Sequence, residues 1–245
     1  MNKPAKYLYQ FYKWLIYAPF LGVTTLIASL CGPVLCFLVS QGFSSKWCGM
    51  LWGRLNVYAT PAFVTVSGRA NFDRHRSYVI VANHQSLFDI LVIYGWMGVD
   101  LRWVMKKELR RIPLMGYCCE KLGHIMVDRS DTRAALEAIH AAREKITGGT
   151  SVIFFPEGTR SRNGRLGPFK KGAFRFALEL GLPILPVTLT GTRKILPPDS
   201  MDLMPGCVQM IFQPAIETGG YSVDQLPELM ERVKRAIERD NVASD

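Results

Sequence analysis

From Trp14 to Ser45 the chain carries no charged residue, a run of 32 positions. That exceeds the roughly 18 residues that mark a membrane helix. It is too long for a signal peptide, whose apolar region covers about 7–15 residues. A buried core helix would show a polar face, and none is evident. Lys3, Lys6 and Lys13 precede the run, and Lys46, Arg54, Arg69, Arg74 and Arg76 follow it. Positive charge on both flanks gives no inside–outside bias. At about 1.5 Å per residue the run would measure about 48 Å, against a bilayer core of roughly 30 Å. Gly32-Pro33 lies near its middle, where a turn is expected. The favoured reading is a helical hairpin over residues 1–60 that enters and leaves one leaflet, with Lys46 and Arg54 at the headgroups. A single span is the alternative.

Residues 61–245 read differently. Ala62–Ser67, Tyr78–Ala82, Leu101–Met105, His124–Val127, Ser151–Phe155, Ile184–Leu189 and Val208–Phe212 have strand character. Leu87–Met97, a segment capped by Ser130-Asp131 and running to Ile146, Lys171–Leu180 and Ser222–Arg239 have helical spacing. Ser151–Phe155 is apolar almost throughout, as expected of a strand covered on both faces. Strands separated by helices predict an α/β domain, with a largely parallel sheet flanked by helices. Ligands bind such sheets beyond the carboxyl ends of the strands. With 49% hydrophobic residues the chain is too apolar for disorder. One long uncharged stretch excludes a polytopic membrane protein. Six cysteines with no zinc-ligand spacing predict free, mostly buried thiols in a reducing compartment.

Two strand ends carry the residues of interest. After Tyr78–Ala82 comes Asn83-His84-Gln85-Ser86-Leu87-Phe88-Asp89. A histidine in the loop can face a carboxylate in the first turn of the next helix. Asp89 would then fix the His84 tautomer and stabilise its charged form, as a general base requires. Ser86-x-x-Asp89 fits a helix capping box equally well. After Ser151–Phe155 comes Pro156-Glu157-Gly158-Thr159-Arg160-Ser161. Gly158 permits a tight turn, Arg160 offers a donor fork for phosphate, and Thr159 and Ser161 can add hydroxyls. A solvated basic loop is the plainer alternative. Lys106-Lys107 and Asp128-Arg129 follow two further strands. Between Asp100 and Arg175 sixteen Lys and Arg face eight Asp and Glu, so most of the net charge of +10 lies around these strand ends. There is no Gly-x-Ser-x-Gly elbow, no phosphate-binding loop ending in Lys-Ser/Thr and no metal constellation.

Together these blocks resemble the glycerophospholipid acyltransferase family, and most closely its lysophosphatidate acyltransferases. His84 to Asp89 matches the family's His-x4-Asp motif. Phe155 to Ser161 matches its Phe-Pro-Glu-Gly-Thr-Arg-Ser motif without a substitution. Gly123 to Arg129 and the proline-flanked Leu182 to Val187 resemble two further blocks. The resemblance implies transfer of a fatty acyl group from acyl-CoA or acyl carrier protein to the sn-2 hydroxyl of lysophosphatidate, with no cofactor. It implies His84 as base, Asp89 as its orienter, and a phosphate site of Arg160, Gly158, Thr159 and Lys106, with Glu157 positioning Arg160. Asn83 or a backbone N–H near His84 would serve the oxyanion. Lys170 and Lys171 would reach the acyl-CoA phosphates. The expected location is the cytoplasmic face of a membrane. The alternatives are the same transfer to another lysolipid and a non-catalytic phospholipid binder. A nucleic-acid partner is not expected, despite the basic charge, because no docking motif is present.

Overall fold

A computed structural model describes residues 3–128, 137, 138, 141, 143–146 and 148–241. The expected helix after Ser130 and the residue Arg129 fall largely outside them. Seven strands form one sheet in the order β1-β7-β6-β2-β5-β3-β4. They are β1 (Ala62–Ser67), β2 (Val79–Ala82), β3 (Asp100–Lys106), β4 (Ile125–Val127), β5 (Thr150–Phe154), β6 (Ile184–Thr190) and β7 (Gly206–Phe212). All neighbouring pairs are parallel except β6 with β7. Each expected strand is found, shifted at most two residues at an end.

Side chains alternate across the sheet, so each strand feeds two cores. Ile80, Ala82, Leu101, Trp103, Ile153 and Val187 face one side. That side is covered by α4 (Phe88–Met97) and by the longer α3 (Gln41–Ala59) beneath it. Val79, Val81, Val152, Phe154 and Ile184 face the other. There they meet α6 (Gly172–Leu180) and α8 (Leu226–Asn241), which contribute Phe174, Ala177, Leu229, Val233 and Ile237. Two short helices, α5 (Met115–Lys121) and α7 (Thr192–Ile195), lie in connections. Neither was legible in the sequence.

At the N-terminus α1 (Lys3–Tyr12) passes through one π-turn, Lys13–Tyr17, into α2 (Ala18–Leu38). Tyr7–Leu38 is thus one helix of 32 residues, long and apolar enough to cross a membrane. The expected turn at Gly32-Pro33 is not there. The helix continues through it, and the chain reverses at Val39-Ser40, where Ser40 Oγ caps α3 by accepting from Phe43 N at 3.1 Å. Gly32-Pro33 is instead a packing notch. Ser44 Oγ donates to Gly32 O at 2.8 Å, and a Cβ on Gly32 would lie 2.7 Å from Cys118 Sγ.

The two long helices run antiparallel along a polar seam. Trp52 Nε1 donates to Thr25 Oγ1 at 3.0 Å, and Asn56 Nδ2 to Thr24 Oγ1 at 3.0 Å. α3 buries Ser44, Ser45, Gly49, Gly53 and Asn56, while Phe43, Trp47, Leu51, Leu55 and Tyr58 are exposed. A Cβ on Gly53 would sit 2.5 Å from Leu91 O, so only glycine lets α3 cross α4 this closely. On α2 Val23, Leu26, Ile27, Leu30, Val34 and Phe37 are exposed as well. All six cysteines are free thiols, but only Cys118 is buried, so the expectation of mostly buried thiols is corrected. Most of the others line the same N-terminal helices, whose surface is turned outward.

Candidate active site

Strands β2, β3, β4 and β5 are mutually parallel, so their carboxyl ends share one rim. A cavity of about 760 Å³ opens there. His84, Lys106, Gly158, Thr159 and Arg160 line its polar part, and Leu87, Ile90, Tyr94, Trp103, Met105 and Phe155 its apolar part. Five of the seven expected site residues therefore meet in one space. Asp89 and Glu157 stand behind it.

His84 leaves β2 with its ring stacked on Phe155, centroids 3.9 Å apart and planes 12° from parallel. Its Nδ1 lies 2.8 Å from Asp89 Oδ2, and its side chain is 14% exposed while that of Asp89 is fully buried. With Nδ1 donating to the carboxylate, Nε2 is the nitrogen left to accept a proton. Asp89 Oδ2 also accepts from Gln85 N at 2.7 Å and Ser86 N at 2.8 Å. Ser86 Oγ accepts from Phe88 N at 3.0 Å. The expected capping box is only half formed: Asp89 reaches back to Ser86 N, but Ser86 Oγ takes Phe88 N and not Asp89 N. One carboxylate thus holds both the His84 ring and the turn that delivers it.

Glu157 departs from expectation. It was expected to position Arg160. Instead Oε1 accepts from His84 N at 2.9 Å and Oε2 from Gly167 N at 2.9 Å. Burial pushes its pKa up, opposed by those two N–H donors. Glu157 is a brace between the two loops, reinforced where Ser161 N donates to His84 O at 2.8 Å. Arg160 Nη2 meets Asp199 Oδ1 at 3.2 Å, and Arg162 Nε meets Asp199 Oδ2 at 3.0 Å. Gly158 adopts φ +73°, closing a turn in which its N–H donates to Phe155 O at 3.0 Å. Thr159 is exposed at the cavity, but Ser161 Oγ is spent on Arg165 O at 2.6 Å. Lys170 lies over Gly158.

The expected oxyanion donors are also otherwise engaged. The Asn83 amide exchanges hydrogen bonds with the Leu189 backbone at 2.8 and 2.7 Å. The N–H groups of His84, Gln85 and Ser86 all donate to Glu157 or Asp89. Their role is to hold the loop.

Sequence reasoning missed three groups. Asp199 pairs with both arginines from a distant loop, with φ +57°. Asn241, at the end of α8, accepts from Gln85 Nε2 at 2.8 Å and donates to Gly164 O at 3.1 Å, tying the histidine loop to the arginine loop from behind. His124 lies under the apolar wall. Its Nε2 is 2.7 Å from Tyr94 Oη, and Trp103 N donates to Nδ1 at 3.4 Å. Burial and the nearby Arg102 charge hold its pKa down to about 3. Only Gln85, beside the motif, could have hinted at the second group.

A histidine–carboxylate pair with one free ring nitrogen, facing arginine and lysine across an apolar trough, suits proton removal from a substrate that carries both a phosphate and a long chain. A sequence model of the family described as Acyltransferase matches residues 63–190. The chain belongs to the acyltransferase family. It is 38% identical over 156 residues to the 1-acyl-sn-glycerol-3-phosphate acyltransferase BAT2, chloroplastic, of Brassica napus, covering 63% of this chain and 44% of that protein. It is 32% identical over 197 residues to the 1-acyl-sn-glycerol-3-phosphate acyltransferase of Limnanthes alba, covering 80% and 69%. The chain spans less than half of the first of these relatives. Among solved structures it is similar to the 1-acyl-sn-glycerophosphate acyltransferase PlsC of Thermotoga maritima, with a TM-score of 0.71, 27% identity and coverage of 91% and 97%. The mostly parallel sheet flanked by helices matches that fold, and in this chain a long apolar helix precedes it.

Proposed function

We propose that this protein moves a fatty acyl group from a thioester, acyl-CoA or acyl carrier protein, to the sn-2 hydroxyl of lysophosphatidate, making phosphatidate. The observation that carries this reading is the 2.8 Å contact between His84 Nδ1 and Asp89 Oδ2 at the rim of a cavity that also holds Arg160. A thioester is already activated, so no enzyme nucleophile is required. His84 Nε2 takes the hydroxyl proton as the oxygen attacks the thioester carbon, then returns it to the departing thiolate. Asp89 holds the tautomer and stabilises the imidazolium. Such a base supplies roughly 10²–10⁴ in rate, and fixing both substrates at the rim adds to it. Arg160 and Lys106 receive the acceptor phosphate, which displaces Asp199 from Arg160. Acyl chains lie along Leu87, Ile90, Tyr94 and Trp103.

Residues 1–60 act as the membrane anchor and 61–245 as the catalytic unit. The exposed apolar faces of α2 and α3 support this, and the reversal at Val39-Ser40 supports two helices entering one leaflet.

The test is turnover of labelled acyl-CoA and acyl-carrier-protein donors by the purified full-length protein, with a panel of lysolipid acceptors. Lysophosphatidate should be the preferred acceptor. Equal rates with an acceptor whose phosphate carries a headgroup would move the assignment to another lysolipid. No turnover with any acceptor would leave a phospholipid binder.

A further inference from the structure

Beyond the N-terminal helices, the surface carries a second apolar projection. Strand β3 ends at Lys106, and one 3-10 turn, Lys107–Arg111, leads to Ile112-Pro113-Leu114 before α5 begins. Ile112, Leu114 and Tyr117 are all exposed. Leu114 sits at φ +61°, ψ −52°, and Met115 N donates to Pro113 O at 2.7 Å. This is a γ-turn of the rare, strained hand, on a residue with a branched side chain. Backbone strain of this kind gathers where the chain does something other than pack. Here it holds a leucine out in solvent.

The surroundings say what the projection meets. Between Lys106 and Tyr117 lie four cations, Lys106, Lys107, Arg110 and Arg111, and three of them meet carboxylates, Glu108, Asp128 and Glu120, so one net positive charge remains. An apolar tip with a basic collar matches an anionic lipid surface, where arginine and lysine reach phosphates and the tip reaches the acyl layer. The position fits as well. α5 packs on α2, with Cys118 Sγ donating to Ala28 O at 3.7 Å and Cys36 Sγ to Lys121 O at 3.6 Å. The tip thus leads into a helix that packs on α2, where Leu30, Val34 and Phe37 are also exposed. It also adjoins the mouth of the cavity, which Lys106 and Leu109 line.

We propose that Ile112-Pro113-Leu114 inserts into an anionic bilayer as a second contact, separate from the N-terminal helices, and sets the cavity mouth at headgroup depth. The proposal rests on the membrane reading above. In consequence it governs access to substrates held in a bilayer, while leaving the chemistry alone.

The experiment compares the full chain with the double variant Ile112→Ser/Leu114→Ser. Neither residue lines the cavity. Each protein receives either lysophosphatidate embedded in mixed phosphatidylcholine–phosphatidylglycerol vesicles or a short-chain, water-soluble lysophosphatidate. The variant should lose about tenfold in kcat/KM on vesicles, or about 1.4 kcal/mol, and change less than about twofold on the soluble acceptor, since two inserted apolar side chains are removed. Leu114→Trp gives an independent readout: brominated lipid should quench its added fluorescence relative to the parent. Equal vesicle rates, or no added quenching, would overturn the proposal. A loss on both acceptors would show that the loop serves the cavity itself and would overturn it too. A loss confined to acyl-carrier-protein donors on either acceptor would make the loop a dock for an acidic protein instead. If the parent transfers no acyl group at all, the function above fails, and the Leu114→Trp quenching still decides the loop.

Discussion

Two histidine sites lie on opposite sides of the same aromatic wall. At one, His84 stacks on Phe155 beside a cavity. At the other, His124 sits beneath Tyr94 and Trp103. Both rings have one nitrogen fixed by a protein group. The difference lies in the partner and in access. His84 has a carboxylate on Nδ1 and leaves Nε2 toward a substrate. His124 accepts a backbone N–H on Nδ1 and gives its Nε2 proton to a tyrosine, so nothing remains to accept another. A buried carboxylate orients one imidazole and leaves its second nitrogen open to the cavity, whereas burial without one keeps the other neutral. What faces each ring nitrogen, and not the residue type alone, sets what a histidine can do.

The sharpest way to break the comparison is to remove each ring in turn. His84→Ala should lower kcat by at least about 100-fold with thermal stability little changed, as expected for loss of a general base. His124→Gln keeps a donor for Tyr94 and should cost no more than a few-fold in kcat. Reversed magnitudes in folded proteins would end the assignment. Next in size is Arg160→Ala. A hydrogen bond to a charged group contributes about 1.5–3 kcal/mol, so the KM for lysophosphatidate should rise about 10- to 150-fold. Arg160→Lys should rise less, because the charge stays and the fork goes. The KM for acyl-CoA should move less in either variant. If only the donor KM rises, the two substrates occupy each other's places.

Asp89→Asn should act on both rate and stability. It keeps an acceptor for part of the loop but removes the charge that supports the imidazolium, so kcat should fall about tenfold or more, though less than in His84→Ala. Because Asp89 also accepts from Gln85 N and Ser86 N in the turn ahead of α4, the melting temperature should drop by an amount corresponding to about 1 kcal/mol. A rate loss with no stability loss would separate the dyad from the turn. The effect of His124 on stability appears only in acid. Its folded pKa, about 3, lies below the ordinary 6.5. The unfolded chain therefore binds a proton that the folded one refuses, and stability is lost as pH falls from 6.5 toward 3. Melting curves at neutral and mildly acid pH should show a smaller loss in His124→Gln than in the parent. An equal loss would show that His124 is not the group taking up the proton.

Much of this was legible in the sequence, because the strand pattern is a consequence of burial on both faces. Val79–Ala82 and Thr150–Phe154 admit little else. His84 and Asp89 were legible because a short loop and one helical turn leave their side chains few places to go. Glu157 was misread because sequence spacing shows adjacency to Arg160, whereas its partners, His84 N and Gly167 N, are fixed by how two loops cross. Asn83 failed as an oxyanion donor for a similar reason: Leu189 lies on the neighbouring strand β6. Asp199 and Asn241 were invisible because they join the site only through tertiary contacts. The turn expected at Gly32-Pro33 failed because glycine beside proline has a second use, the close approach of two helices.

The seam between α2 and α3 has a calorimetric consequence. Its hydrogen bonds join Ser44 to Gly32, Trp52 to Thr25 and Asn56 to Thr24, while many large apolar side chains of the two helices, among them Phe37, Leu51 and Leu55, are exposed. Parting the two helices would expose little hydrocarbon, so it should carry only a small change in heat capacity, whereas unfolding the sheet and its two apolar cores should carry the large positive one typical of globular domains. The grip between the helices should accordingly vary little with temperature on its own account. Cooling, which weakens apolar burial, should loosen the α/β domain before it loosens the seam.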